Sequence, residues 1–323
     1  MTGPEDIATP VPQTSSAPVM GRGEWGLLLI LSLFWGSSYL LNKLALPGFP
    51  ALTLVWIRVT LAAGLLWLFL RARRERLPRG WPAWRGMIAL ALFNTVLPLS
   101  LFSAAQTVIS ASLASIMNGM TPILAVVTAH FLTQDEKATP GRVTGVLFGF
   151  AGLVVVIGTE ALHGIGGHLL AQCACLLASL CNALAGIYGR RITQTGVSPL
   201  ALAVAQLLLS SVLLFPAAMI VDRPWTLPMP TPTEWLAMLG LTIFSTALAF
   251  ALFFRLLAKA GVTNALLVTF LLPVVAIFEG VLVLGEQLEP QHGIGLLLIA
   301  AGLVAVDGRV PRRLRRVLGP APV

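Results

Sequence analysis

The stretch ALTLVWIRVTLAAGLLWLFL, residues 51–70, contains nineteen uncharged residues and one arginine, Arg58. An apolar run of about 20 residues is long enough for one helix to cross roughly 30 Å of hydrocarbon. The stretch therefore predicts a membrane-spanning helix. A cation inside such a helix is costly, so Arg58 needs an explanation. It either has a structural partner, such as a backbone carbonyl or an acidic side chain, or lines a solute route, or extends toward the membrane surface.

The composition of the whole chain resembles that stretch. It is 57% hydrophobic and 11% charged, with a mean hydropathy of +0.88, which is far from the composition of a soluble globular domain. The net charge of +8 does not indicate nucleic-acid binding, because the cations lie in short loops between apolar runs. The three cysteines share one apolar run, and no metal or other cofactor is expected.

Apolar runs between polar breaks predict an all-α integral membrane protein with ten transmembrane helices. In chain order, the predicted spans are residues 25–45, 51–70, 84–104, 108–132, 142–159, 168–188, 198–221, 235–256, 262–284 and 291–308.

The cations predict the orientation of these spans. If the amino terminus is cytoplasmic, 18 of the 21 Lys and Arg residues fall in cytoplasmic loops and tails. Such a bias is typical of inner-membrane proteins. We therefore expect a multi-pass protein of the cell inner (plasma) membrane with both termini cytoplasmic. Residues 1–24 are predicted to form a disordered tail, and residues 309–323 a basic tail.

The two halves of the chain match each other. Residues 25–159 align with residues 168–308 at offsets of 149 to 151, so that Tyr39 falls on Tyr188 and Pro122 on Pro273. Arg58 aligns with Leu207 and Glu279 with Thr128, so neither charge has a charged counterpart. Because each half contains five predicted spans, the second half must enter the membrane in the opposite orientation. This predicts two inverted five-helix repeats, an arrangement used by secondary transporters.

Two segments carry a family resemblance. FWGSSYLLNKLALPGFPALTLVWIRVTLAAGLLWL, residues 34–68, resembles the opening of the EamA-like branch of the drug/metabolite transporter superfamily. GVTNALLVTFLLPVVAIFEGVLVLGEQLEPQHGIGLLLIAAGLVAV, residues 261–306, resembles its end. The shared features are Trp-Gly in the first helix, an arginine in the second, a proline within the ninth and Gly-Glu at that helix's exit. The likeness covers residues 25–308.

The resemblance implies a secondary transporter for an amino acid, another metabolite or a drug-like compound, and it favours export. The partners it implies are a small-molecule substrate and membrane lipids, with protons as a candidate coupling ion; nucleic acid is not expected. The chain is expected to be a monomer or a homodimer. Alternatives left open are a vitamin or amino-acid importer, and a membrane enzyme or lipid-handling protein on the same bundle. No catalytic motif was found, so enzymatic activity is not expected.

Five residues are candidates for the substrate route. Arg58 and Glu279 are the two charges well inside predicted spans, at similar depths, and they could pair with each other. Glu279 could alternatively carry a coupling proton or be structural. Trp35, Asn94 and Asn118 lie near mid-span in helices that line the cavity in the family. A tryptophan in a bundle can equally be packing, and an amide can equally be an interhelical hydrogen bond.

Two prolines and a set of glycines are candidates for motion and packing. Pro122 and Pro273 lie at matching positions of the fourth and ninth spans. Each is predicted either to shape the bundle by a kink or to act as a hinge for alternating access. Glycines spaced four apart in the fifth span, echoed in the tenth, predict close helix packing or a dimer face.

Overall fold

The computed structural model describes residues 21–78, 80–132, 140–157, 167–193, 197–253, 255–256 and 268–307. Within these ranges the regular secondary structure is entirely helical, with no strand. A chain this apolar can satisfy its backbone hydrogen bonds inside each segment only as a helix, because hydrocarbon supplies no partners. Residues 1–20, 79, 133–139, 158–166, 194–196, 254, 257–267 and 308–323 lie outside the described residues.

The helices follow the predicted spans closely. In chain order they are α1 Arg22–Ala45, α2 Ala51–Ala72, α3 Trp81–Ala91, α4 Leu97–Ala105, α5 Ala111–Asn118, α6 Thr121–Leu132, α7 Pro140–Ile157, α8 Gly167–Thr193, α9 Pro199–Ala217, α10 Pro232–Gly240, α11 Val268–Leu284 and α12 Pro290–Asp307.

Seven helical stretches among the described residues are long and apolar enough to cross a membrane. They correspond to the first, second, third, fourth, sixth, seventh and eighth predicted spans. Shorter apolar helices, Val143–Val155 and Leu271–Leu284, lie in the fifth and ninth predicted spans, and α12 lies in the tenth. The chain is therefore a multi-pass, all-helical membrane protein, whereas the count of ten crossings stays a prediction.

The first helix begins earlier than its apolar run. Residues 22–24 were assigned to the amino-terminal tail, but α1 starts at Arg22. The side chain of Glu24, three residues into the helix, accepts a hydrogen bond from the backbone N–H of Gly21 at 2.9 Å. A carboxylate at this position satisfies a free donor of the first turn, so polar residues extend the helix beyond the hydrocarbon.

The helices pack in pairs that join the two halves of the chain. α7 packs along α12, α2 along α9, α1 along α11, and α8 against both α4 and α6. Two apolar clusters result. One is built from α1, α4, α5, α6, α8 and α11, and the other from α2, α9 and α10.

Glycines set the distance between α7 and α12. A Cβ on Gly152 would lie 2.7 Å from the carbonyl oxygen of Gly295, and one on Gly302 would lie 2.6 Å from that of Gly145. Both distances are shorter than real side chains allow, so only glycine permits this approach. The prediction of close helix packing is confirmed for these positions.

Three segments depart from the α-helical hydrogen-bond pattern. The third predicted span contains a π-helical segment at Leu92–Val96, the eighth contains one at Leu241–Leu248, and the seventh ends in one at Ala218–Asp222. In the eighth span, the hydroxyl of Thr246 donates to the carbonyl of Leu241 at 2.9 Å, five residues earlier. The sequence analysis did not predict these segments, which in other proteins often lie at functional sites.

Candidate functional site

Arg58 is buried in the bundle and its guanidinium points toward the eighth span. The residue is 5% exposed. Its Nε donates to the hydroxyl of Thr246 at 2.6 Å, and its Nη2 lies 3.5 Å from the carbonyl of Ser245. Nη1 donates to none of the described residues. This burial argues against the interpretation that Arg58 extends to the membrane surface.

The alternative in which Arg58 pairs with Glu279 is not what the structure contains. The carboxylate of Glu279 accepts from the hydroxyl of Ser37 at 2.6 Å, and within the described part of the chain no ion pair joins it to Arg58. Their similar depth in the membrane does not determine where around the bundle each side chain lies. The helix of Arg58 packs on α9 and the π-helical segment Leu241–Leu248, whereas the helix of Glu279 packs on α1 and α5.

Tyr39 of α1 connects two of the candidate residues. It is buried at 6% exposure, and its hydroxyl lies near the Asn118 side chain and within electrostatic range of the Arg58 guanidinium. Its ring meets Phe102 edge-on, with 6.0 Å between ring centroids. The side-chain oxygen Oδ1 of Asn118 accepts from the Thr121 hydroxyl at 3.0 Å. Arg58 and Tyr39 are buried and Asn118 is half-buried. We call these three polar residues, from the second, first and fourth spans, the Tyr39 group.

Tyr39 was not among the candidate site residues, although a signal for it existed. It is one of the two tyrosines of the chain, and the repeat alignment places it on the other, Tyr188. The two have different environments, since Tyr188 is exposed and stacks on Phe93 with ring centroids 6.2 Å apart.

Trp35 and Asn94 lie apart from the Tyr39 group. The Trp35 ring packs on Phe253, with centroids 5.1 Å apart, and on Phe250, with centroids 6.3 Å apart. Asn94 belongs to the π-helical segment Leu92–Val96, is half-buried, and makes no hydrogen bond to another described residue. The packing interpretation accounts for what surrounds Trp35, while Asn94 keeps a free amide.

The contact between Arg58 and Thr246 has a counterpart in the other half of the chain. The Gln206 amide nitrogen of α9 lies 2.6 Å from the Thr95 hydroxyl, and Thr95 and Thr246 occupy matching positions of the two π-helical segments. The structural counterpart of Arg58 is therefore Gln206 and not Leu207, which the alignment gave. Gln206 is fully buried and its second polar atom has no partner among the described residues.

The two prolines have different settings. Asn118 ends α5, and α6 begins at Thr121, so Pro122 is the second residue of a new helix. A missing backbone donor is tolerated there. The helix breaks at Gly119 and Met120, just before the proline, and the role of Pro122 as a hinge stays a prediction. Pro273 lies inside α11 as expected.

A carboxylate holds the amino end of α5. Glu286, in the turn between α11 and α12, accepts from the backbone N–H of Ala111 at 2.7 Å and from the N–H and hydroxyl of Ser112 at 3.0 and 2.5 Å. In the loop that precedes α5, the Lys43 ammonium donates to the carbonyls of Gln106 and Ile109 at 2.5 and 2.9 Å. An anion at a helix start and a cation at a helix end both complement the helix dipole.

A multi-pass helical bundle with a buried arginine and polar side chains beside it between its spans is typical of membrane transport proteins. The comparison with known families identifies the class. The sequence matches the EamA-like transporter family over residues 24–158 and again over residues 169–306, so this chain belongs to the EamA-like transporter family. The two matches correspond to the two halves of the chain.

Its relatives carry transporter names. The chain is 28% identical to the "Uncharacterized transporter YvbV" of Bacillus subtilis, over 91% of this chain and 94% of that protein. It is 25% identical to the "Uncharacterized inner membrane transporter YedA" of Escherichia coli K12, over 87% and 90%. It is 27% identical to a Chlamydia trachomatis "S-adenosylmethionine/S-adenosylhomocysteine transporter", over 88% and 87%. The family and these names point to a transporter and not to an enzyme.

A solved crystal structure shares the fold. It has a TM-score of 0.65 and 22% sequence identity, and the match covers 91% of this chain and 99% of that one.

Proposed function

We propose that the protein is a secondary transporter that moves a small organic solute across the inner membrane by alternating access, with export as its direction. The observation that carries this proposal is the Tyr39 group. A guanidinium fixed at Nε by Thr246, with Nη1 unused by the described residues, is prepared to bind an anionic group of the solute.

The proposed solute class is a compound with a carboxylate, such as an amino acid or a derivative of one. Arginine binds carboxylates with two parallel hydrogen bonds. The Tyr39 hydroxyl, which interacts electrostatically with Arg58, and the Asn118 amide beside Tyr39 offer further polar contacts. S-adenosylmethionine and S-adenosylhomocysteine, named for the chlamydial relative, each contain an amino-acid carboxylate, which supports the same class. Trp35, Asn94 and Glu279 remain proposed contacts of the route.

The proposed architecture is ten spans in two inverted five-helix repeats. Two observations support it. The family matches the chain twice. The helix packing is also symmetric between the halves: α2 packs on its counterpart α9, and α7 packs on its counterpart α12. The contact of α1 with α11 corresponds to the contact of α8 with α6. In such transporters one repeat moves against the other around a central site.

The proposed orientation places both termini in the cytoplasm. Reporter fusions after residues 77 and 313 are expected to report cytoplasm, and a fusion near residue 229 is expected to report the periplasm. A periplasmic signal at residue 77 would contradict the orientation. Protons are the proposed coupling ion, and the protein is proposed to be a monomer or a homodimer.

The function is tested by counterflow in liposomes. The purified protein is reconstituted, loaded with one unlabelled solute at a time from a panel of amino acids, nucleoside derivatives and organic cations, and mixed with the labelled form. We expect exchange of at least one carboxylate-bearing solute, and loss of most of that exchange in Arg58→Ala. Arg71→Ala is the matched control, because Arg71 is exposed at the other end of α2.

Two results would contradict the proposal. The first is exchange no faster than in empty liposomes for every solute of the panel. The second is exchange in Arg58→Ala equal to that in Arg71→Ala, which would remove Arg58 from the solute site. The direction of an imposed solute gradient that the protein can dissipate separates export from import of a vitamin or amino acid.

A further inference from the structure

The hydrogen bonds around Glu279 contain one proton fewer than they would need if its carboxyl group were ionised. Its Oε1 lies 2.6 Å from the Ser37 hydroxyl. The same hydroxyl lies 2.8 Å from the carbonyl oxygen of Leu33. The second carboxyl oxygen, Oε2, is buried and has no partner among the described residues.

The proton count decides between the two charge states of Glu279. A serine hydroxyl has one proton to donate. If Glu279 is ionised, Ser37 can serve either the carboxylate or Leu33, and Oε2 remains a buried anionic oxygen without a donor. If Glu279 is protonated on Oε1, it donates to Ser37, and Ser37 donates to Leu33. The neutral acid satisfies both short contacts at once.

The charges around Glu279 favour the same state. Among the described residues, the helices that pack most extensively on α11 are α1 and α5. The turn after α11 brings the Glu286 carboxylate to 2.5 Å from the position of a Cβ on Gly280, which places a negative charge near Glu279. α5 carries no titratable group, and α1 carries Arg22, Glu24, Tyr39 and Lys43. Lys43 is bound to loop carbonyls, Tyr39 faces Arg58, and Arg22 and Glu24 lie at the far end of the helix. Glu279 is the one charged residue of α11 itself. A buried carboxylate without a cation is strongly disfavoured.

We propose that Glu279 and Ser37 form the proton-binding site of the transporter, with Glu279 carrying the proton and Ser37 positioning it. This inference rests on the proposed function and identifies its coupling ion. A metal ion does not fit between these two oxygens. Hard cations bind oxygens at about 2.0–2.6 Å, so two oxygens sharing one at a right angle lie roughly 2.8 Å or more apart. The observed 2.6 Å is a hydrogen-bond distance.

Loss of the proton is linked to the contact between α1 and α11. The ionised carboxylate needs a donor at Oε2, and this oxygen is buried without one among the described residues. Beside Ser37, the helices touch so closely that a Cβ on Gly36 would lie 2.5 Å from the Cβ of Val275. Proton release from Glu279 therefore requires Oε2 to become accessible to water, and separation of α1 from α11 beside Ser37 is the movement that the proposal assigns to this step.

The test uses the full-length protein in liposomes and three variants. Glu279→Gln has the shape of the protonated acid and cannot release a proton. Ser37→Ala removes the partner. Ser38→Ala is the matched control, because its hydroxyl binds the carbonyl of Trp35 and not Glu279. The probe is the panel solute that the wild type exchanges fastest, measured with and without an imposed pH gradient and with an imposed sodium gradient.

We expect the pH gradient to drive accumulation in the wild type and in Ser38→Ala. In Glu279→Gln, accumulation should fall to the level reached without a gradient, while exchange at equal pH persists at a reduced rate. Ser37→Ala should shift the pH at which transport is half-maximal. Gradient-driven accumulation that survives in Glu279→Gln, or drive by sodium instead of protons, would overturn the proposal.

A spectroscopic measurement tests the protonation of Glu279 independently of any transport activity. The infrared difference spectrum between acidic and alkaline buffer should contain a C=O stretching band of a carboxylic acid in the wild type and in Ser38→Ala. That band should be absent in Glu279→Gln. If no solute of the panel is exchanged, the proposed function fails, and the band alone decides the proton site. A spectrum without any band assigned to Glu279 would refute it.

Discussion

Replacement of Glu286 by alanine should destabilise the protein through the start of α5. Its carboxylate accepts three hydrogen bonds, two from backbone N–H groups of Ala111 and Ser112 and one from the Ser112 hydroxyl. Hydrogen bonds to charged groups contribute about 1.5–3 kcal/mol each, and a lost helix cap costs roughly 1 kcal/mol. Because the residue is half-buried and water can replace part of these contacts, we expect a loss of about 2–4 kcal/mol in the free energy of unfolding.

The assay is equilibrium unfolding of the purified protein in mixed micelles, followed by far-UV circular dichroism. Glu289→Ala is the matched control, because Glu289 belongs to the same turn, is exposed, and makes its described hydrogen bonds to Gln291 and His292 at the start of α12 rather than to α5. Glu286→Gln should fall between the alanine variant and the wild type, since the amide keeps one acceptor and loses the charge. Equal unfolding midpoints for Glu286→Ala and Glu289→Ala would show that the hydrogen bonds to α5 contribute nothing.

Two further predictions concern charges and prolines. Arg58→Ala and Glu279→Gln have separate partners, so their effects on the free energy of unfolding should add to within about 0.5 kcal/mol in the double mutant. If Glu279→Gln instead recovered the stability lost in Arg58→Ala, the two side chains would have to interact, which would contradict the structure. Pro273→Ala should slow solute exchange, because it supplies a missing backbone donor inside α11 and straightens that helix. Pro122→Ala should leave exchange close to that of the wild type, and a slower Pro122→Ala with a normal Pro273→Ala would contradict this assignment.

The positions of the helices could be predicted from the sequence, but not the contacts between them. The run at residues 51–70 predicts α2, observed at Ala51–Ala72, because the width of the hydrocarbon fixes the length of an apolar helix. The same one-dimensional information gives Arg58 and Glu279 a depth and no direction around the helix axis. Their partners, Thr246 and Ser37, depend on how each helix is rotated in the bundle, which the hydropathy of a run does not determine.

The counterpart of Arg58 was missed for a related reason. The alignment matched Pro50 with Pro199, which are offset by 149. In the structure Pro50 precedes α2, whereas Pro199 is the first residue of α9. Counted from the helix starts, Arg58 and Gln206 are both the eighth residue, and the contact between Gln206 and Thr95 supports this correspondence.

The paired π-helical segments also say something about ancestry. A π turn contains one residue more than an α-helical turn and arises most simply from a single-residue insertion, which costs stability and persists where it is useful. Leu92–Val96 and Leu241–Leu248 carry this extra residue in equivalent spans of the two halves, and both halves match one family. Under the two five-helix repeats proposed above, the simplest history is a single insertion in their common ancestor, before the duplication that doubled the chain.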